Sequence, residues 1–438
     1  MIPILHLSDP ADALRVEVLL SELRLDVAQL SPGGRFGAQA DTVRKIIADV
    51  AGRGDDAVVE NARKFDSPTF DQSQLRVTHR EMSEAAGRIP ADQRDAVRRA
   101  IGQVREYQTH VMPKDPPPLR RAGVELGMRF TPLDSVGVYF PGGKASYPST
   151  LIMLAVPAQV AGVKTIVVAT PPSEFGRTDL VLAAAFELGL DQVFRAGGAA
   201  AVAAMGLGTK TIPRVDKIVG PGNLYVQLAK RELAGSVGVD GFLGPSEILT
   251  IADDTASAAF IAADLIAQAE HDPGSCFLLT DSAGMAGAVE AEILHQLGDR
   301  KRTGALAKSL AGHSAIIVGG LDSLVELANR FAAEHVNIQT RDPAAVVARV
   351  HHAGAIFVGP WSPVAAGDYV TGPSHCLPTN TTARFGSGVS VYEFLKRSSV
   401  VRYDRSGLEA DAAAIKSLAT AEGLDGHAAS IDVRTKSC

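Results

Sequence analysis

Apolar residues recur at three- and four-residue spacing through 41–53 and 83–107, with polar positions between them. That period marks helices that bury one face, and it predicts a charged, helical arm over about the first 110 residues. Met112-Pro113-Lys114-Asp115-Pro116-Pro117-Pro118 ends the pattern, because consecutive prolines cannot continue a helix. The arm gives way to the core there.

From about residue 127 the rhythm changes to short apolar runs, each followed by a helix-like segment. Strands are predicted at 136–140, 165–169, 192–195 and 217–219, with helices over 149–161, 180–188 and 199–205 between them. The rhythm resumes with strands at 248–251, 276–280, 315–318 and 355–358, a helix over 258–271 and an amphipathic run over 321–331. Strand and helix in alternation argue for parallel sheets covered by helices. The expected fold is α/β: two related Rossmann-like domains, each an incomplete dinucleotide fold, with a helical N-terminal arm and a small helical C-terminal domain. The expected boundaries are 1–126 for the arm and the start of the core, 127–246 and 247–378 for the two α/β domains, and 379–438 for the appendage.

The balance of 43 basic and 49 acidic side chains leaves a net charge of −6, and no Lys/Arg block is present. A mildly acidic chain gives no electrostatic reason to expect nucleic acid as a partner. The longest apolar stretch, 151–163, is broken by Pro157 and Gln159 and is too short for a bilayer. No secretory signal is visible at the N-terminus. The cysteines, Cys276, Cys376 and Cys438, are three and scattered, which fits a reducing compartment and predicts a cytoplasmic protein. Cys276 and Cys376 read as core thiols.

With no cysteine pair, any metal site must use His, carboxylate or amide ligands. Gln268 and His271, three apart near the end of a predicted helix, can reach one point. From this segment alone, a polar helix end facing water is the simpler reading. Glu334-His335 could supply two general bases of different strength, or could be a solvated helix terminus. Asp368 and His375 lie in a turn-rich stretch, and Glu422 and His427 on a Gly-punctuated break between helices. Glycine turns follow several strands, at Gly142-Gly143, Gly197-Gly198 and Gly220-Pro221-Gly222-Asn223. Such turns admit phosphates to helix N-termini, but none forms a GxGxxG directly after a strand.

In combination these pieces are more specific. YFPGG at 139–143, KIVGPGN at 217–223, GPSE at 244–247, QAEH at 268–271, AEH at 333–335, GDYVTGPSHCLPT at 367–379 and AEGLDGH at 421–427 occur in that order. The chain closely resembles the histidinol dehydrogenases, zinc- and NAD-dependent enzymes that end histidine biosynthesis, over nearly its whole length. The resemblance implies that Gln268, His271, Asp368 and His427 hold one Zn2+ per subunit, an N/O set with room for substrate. It implies that zinc grips the imidazole and amino nitrogens of L-histidinol, mainly as a template. Ser246, His335, Glu422 and the four ligands match substrate-contacting positions, with His375 nearby, and Tyr139 and Asn223 match NAD-contacting ones. It further implies a homodimer in which the segment carrying Glu422 and His427 completes the partner's site.

The implied chemistry is oxidation of L-histidinol to L-histidine in two NAD-linked hydride transfers through bound L-histidinaldehyde. His335 would take the alcohol proton, and Glu334 would activate water to hydrate the aldehyde. Three positions depart from the family pattern: Ala200 replaces a glutamine that contacts NAD, Ser374 replaces an asparagine, and Gly241-Phe242-Leu243 precedes the GPSE motif. Besides a non-catalytic binding or scaffold role, which has no need of all four ligands plus both bases, two other readings remain open at this point. One is a paralogous zinc/NAD dehydrogenase acting on another small alcohol, such as a sulfonated diol. The other is a zinc hydrolase that uses Glu334 without nicotinamide.

Overall fold

The apolar runs build two parallel sheets, seen in a computed structural model. It describes residues 2–24, 29, 33–142, 146–173, 178–241, 246–271, 274–298, 306 and 309–436. In chain order the strands are β1 (Ile4–His6), β2 (Leu119–Arg121), β3 (Val124–Pro132), β4 (Ser135–Tyr139), β5 (Thr165–Thr170), β6 (Gln192–Arg195) and β7 (Lys217–Val219). They continue with β8 (Gly238–Val239), β9 (Ser246–Ala252), β10 (Gly274–Thr280), β11 (Ala315–Val318), β12 (His335–Gln339), β13 (Ala355–Val358) and β14 (Leu395–Tyr403).

One sheet runs β6-β5-β4-β7-β8 and the other β1-β11-β10-β9-β12-β13, with every pairing parallel. Leaving out β1, both sheets order their own strands 3-2-1-4-5. This explains the near-continuous burial of β4, β5, β9 and β10: helices cover both faces, so alternation is lost. The first sheet is packed between one cluster containing Leu151, Leu154 and Val181, and another containing Val43, Ala203 and Met205. The second lies between Ile261, Leu265 and Val289 on one face and Leu324, Phe331 and Val16 on the other.

The arm is helical as expected, with helices Pro10–Leu23, Gly37–Arg53, Asp55–Phe65, His79–Arg88 and Ala91–His110. Its first residues behave differently: β1 joins the edge of the second sheet beside β11, which lies in the last third of the chain. Another departure is a three-stranded antiparallel sheet, β14-β3-β2. The C-terminal part is therefore not purely helical, as the sequence suggested. It opens with β14, and only then come helices Arg405–Ala421 and Asp425–Lys436. β14 is largely solvent-facing, so it carries no buried apolar face that sequence reading could detect. Among the described residues, no helix is long and apolar enough to cross a membrane.

Candidate active site

Glu334 and His335 do not end a helix. The amphipathic helix Leu321–Phe331 stops at Ala332, whose φ of 46° is left-handed, and the chain then enters β12. Both side chains are buried as a result. β12 pairs with β9, placing His335 opposite Ile248 and next to Ser246-Glu247. Gln268 lies on the helix Ala258–Ala269 and is also buried, whereas His271 sits two residues beyond that helix, which ends sooner than the sequence suggested.

These residues form one hydrogen-bonded chain. The Gln268 amide donates to Ser246 Oγ at 2.7 Å, and Ser246 Oγ donates to Glu334 Oε2 at 2.6 Å. The Glu247 backbone N–H donates to the same carboxylate oxygen at 2.9 Å. With its nitrogen engaged, Gln268 has its carbonyl oxygen left for a cation.

The tautomer of His335 follows from its partner. Nδ1 lies 3.0 Å from the Glu247 carbonyl, which can only accept, so Nδ1 carries the proton and Nε2 is a free base. Burial lowers the His335 pKa, opposed by the nearby Asp368 carboxylate, and this keeps the ring neutral and basic at Nε2.

Burial pushes Glu334 up to about 8, against the hydrogen bonds from Ser246 and Glu247. Glu247 is raised to about 8 as well, first by burial and further by the Glu334 charge, and the Asn380 N–H opposes the rise. Two buried carboxyls therefore lie side by side, only one of which the sequence analysis singled out. The signal for the second was the last residue of the GPSE motif.

Asp368 closes the helix Val364–Tyr369, and burial raises it to about 6. Its charge acts on His335, and His335 in turn acts on His271. Gln268, His271, Asp368, Glu334 and His335 thus surround one cleft. His375 lies behind Asp368: Nδ1 donates to the Asp368 carbonyl at 2.8 Å and Nε2 accepts from the Thr150 hydroxyl at 3.0 Å. Burial pushes its pKa down to about 4, which suits a neutral strut. Because Thr150 belongs to the helix Pro148–Ala161 that follows β4, this strut ties the cleft to the first sheet.

The C-terminal ends of β4, β6 and β7 carry the second group of residues. Tyr139 is buried, its hydroxyl accepts from the Gly198 N–H at 3.1 Å, and its pKa is pushed up to about 12 by burial. Asn223 caps the helix Leu224–Leu233, its Oδ1 accepting from the N–H groups of Tyr225 and Val226. Before it, Gly220 has a φ of 119° and stands so close to the Tyr139 carbonyl that a Cβ would fall 1.9 Å from it. The buried Lys230–Asp240 ion pair holds this turn: Lys230 donates to the Gly220 carbonyl at 2.9 Å, and the Gly220 N–H donates to Asp240 at 2.6 Å. Sequence reading missed that pair.

Glu422 and His427 are elsewhere. Both are exposed on the C-terminal helices, and no hydrogen bond or ion pair among the described residues joins either to the cleft. Accordingly, no three His, Cys, Asp or Glu side chains gather as a metal site among the described residues. Of the departures, Ala200 is buried in the first sheet's core, and Ser374 turns its hydroxyl to the Cys376 N–H at 3.1 Å. Gly241 is described, whereas Phe242 and Leu243 lie outside the described residues, as do Gly143, Gly244, Pro245 and Cys438. Cys276 and Cys376 are buried, and burial raises both thiols, so neither is poised to react.

The family model described as histidinol dehydrogenase matches residues 34–435. The chain belongs to the histidinol dehydrogenase family. It is 46% identical to a histidinol dehydrogenase of Synechococcus sp., over 90% of this chain and 92% of that one. It is 44% identical to that of Thermosynechococcus vestitus, over 96% and 99% of the two chains. The crystal structure of histidinol dehydrogenase from Elizabethkingia anophelis superposes with a TM-score of 0.91 at 30% identity, covering 99% of this chain and 98% of that one. Like the family, the chain is an oxidoreductase, with mixed α/β architecture and parallel sheets.

Proposed function

We propose that this protein oxidises L-histidinol to L-histidine in two successive steps within one cleft, using NAD and a divalent zinc ion. The observation that carries the reading is the pairing of a neutral imidazole, His335, whose Nε2 is free, with a buried carboxyl, Glu334, next to it in the chain. We read the two sheets as related incomplete dinucleotide folds, with the cofactor at the C-terminal edge of the first. The open space before Gly198 supports this, because a Cβ there would meet nothing within 4 Å and the helix Gly198–Leu207 starts at that point.

The donor chemistry fits zinc: an amide oxygen from Gln268, an imidazole from His271 and a carboxylate from Asp368. The fourth donor, His427, is exposed on a C-terminal helix and would come from a second copy of the chain, as would Glu422 toward the substrate. Leu418 on that helical pair and Leu119, Met128, Val400 and Val401 on the adjoining antiparallel sheet are large apolar side chains left exposed in one chain, which supports a homodimer. When bound, zinc would hold the imidazole and amino nitrogens of the substrate, and NAD would accept a hydride at each oxidation.

The residues of the chain manage the protons. His335 Nε2 takes the alcohol proton as the carbon gives up its hydride, and Nδ1 stays tied to the Glu247 carbonyl, so the ring keeps its orientation. In its ionised form Glu334 takes a proton from the water that attacks the aldehyde carbon, giving the hydrate that the second oxidation converts to the carboxylate. Ser246 holds Glu334 and Gln268 together, so the water-activating group and the cation ligand move as one unit. The protein works in the cytoplasm on this reading, with no nucleic-acid or membrane partner. A His335→Asn variant tests the assignment: it should lose about 10²–10⁴-fold in alcohol oxidation while binding histidinol normally. An active variant would overturn it.

A further inference from the structure

Asp66 caps the helix Asp55–Phe65 of the N-terminal arm, its backbone N–H bonded to the Ala62 carbonyl. Its side chain lies against the end of β6: a Cβ added to Gly197 would stand 3.0 Å from Asp66 Oδ2 and 3.1 Å from Pro171. The carboxylate is close enough for its charge to act on the Tyr139 hydroxyl, which the Gly198 N–H already occupies. Partial burial raises Asp66 to about 6, and no hydrogen bond from another described residue offsets that rise. Among the described residues no lysine or arginine pairs with it. A carboxylate that loses part of its water without gaining a donor among these residues keeps its acceptor capacity free for a ligand.

The position suits one. Asp66 sits at the C-terminal edge of a parallel sheet ordered 3-2-1-4-5, on the side of its first three strands, where Tyr139 ends β4 and Gly197 follows β6. In sheets of this order, ligands lie beyond the carboxyl ends of the strands. A neighbouring pair of hydroxyls would give the carboxylate the two donors it lacks. A phosphate in the same place would set negative charge against negative charge, with no lysine or arginine among the described residues paired to the carboxylate.

We propose that Asp66 is a specificity-determining residue of the cofactor site: it accepts hydrogen bonds from the adenosine ribose hydroxyls of NAD and rejects the 2′-phosphate of NADP. The arm thus supplies a contact that the first sheet's own strands do not, at a site where Ala200 offers no polar group. This inference rests on the NAD reading above.

Calorimetric titration of the full chain with NAD and with NADP, without alcohol substrate, tests it on the wild type, Asp66→Asn and Asp66→Ser. The wild type should bind NAD at least about tenfold tighter than NADP. Each variant should lose about 10- to 100-fold in NAD affinity, the range for a hydrogen bond to a charged group, and change little toward NADP. The thermal midpoint should hold or rise, because a partly buried carboxylate with no donor among the described residues has been removed. A wild type that binds NADP as well as NAD overturns the proposal whether or not the variants fold. So do variants that keep NAD affinity within about twofold, or that weaken both dinucleotides equally with a lower midpoint. A wild type that binds neither dinucleotide refutes the NAD reading itself, and the role of Asp66 falls with it.

Discussion

Replacing Glu334 with glutamine should make the protein more stable and less active, by amounts that depend on pH. The carboxyl is buried at the start of β12 and its pKa is pushed up from 4.5 to about 8, burial being the main cause. Below pH 4.5 the folded and unfolded chains are both protonated there, and the group costs nothing. As pH rises from 4.5 toward 8, the unfolded chain releases the proton while the folded chain holds it, so stability is lost. Each unit is worth about 1.4 kcal/mol, and the span from pH 5.5 to 8 amounts to about 3–4 kcal/mol for an isolated site. Glu247, raised by the same burial and by the Glu334 charge, shares this titration, which makes the figure an upper bound. Glutamine keeps an oxygen for Ser246 Oγ and the Glu247 N–H but has no proton to lose. Urea unfolding followed at Trp361, the sole tryptophan, reports on the second sheet, because the residue follows β13 and packs against Phe260. The variant's advantage over the wild type should grow by up to that amount between pH 5.5 and pH 9. In the same variant, conversion of the aldehyde to the acid should fall about 10²–10⁴-fold while alcohol oxidation persists. A stability difference that ignores pH, or a variant less stable at pH 9, would mean that Glu334 is not held protonated by burial.

Three further outcomes are expected. Lys230→Met leaves Asp240 charged, wholly buried and unpaired, and should cost about 3–5 kcal/mol in urea unfolding; a loss below about 1 kcal/mol would mean that water reaches Asp240. Inactive His335→Asn and His427→Asn chains, unfolded and refolded together, should regain about a quarter of wild-type activity, since half the dimers are mixed and each mixed dimer has one intact site; no recovery would place both residues in the same chain's site. Ser246→Ala breaks the link between Gln268 and Glu334 and should raise the KM for histidinol about tenfold, the value of a hydrogen bond to a charged group, with the KM for NAD unchanged.

The two parallel sheets were legible because β4, β5, β9 and β10 are short apolar runs separated by helices that bury one face. β12 was harder to read. Asn337 and Gln339 are fully or nearly fully buried in it, and polar residues at alternate positions imitate an amphipathic segment near a helix end. The same illusion made Glu334 and His335 look solvated. β2, β3 and β14 stayed hidden because antiparallel pairing over an exposed surface needs no apolar face. The motifs pointed to Gln268, His271, Asp368, Glu334 and His335, which the fold gathers around one cleft. They could not point to Asp66, the Lys230–Asp240 pair or Thr150, whose roles exist only through contacts between distant parts of the chain. Glu422 and His427 are the reverse case: motif residues that one chain's fold leaves outside the cleft.

A four-electron oxidation completed in one cleft fixes the number of NADH molecules formed per L-histidinol consumed, measured with zinc supplied at mildly alkaline pH. Two are expected, and none once a chelator has removed the metal. One NADH per substrate would mean that oxidation stops at the aldehyde and that Glu334 does not activate water, whereas none with zinc present would mean that the substrate is another alcohol or that the chemistry is hydrolytic.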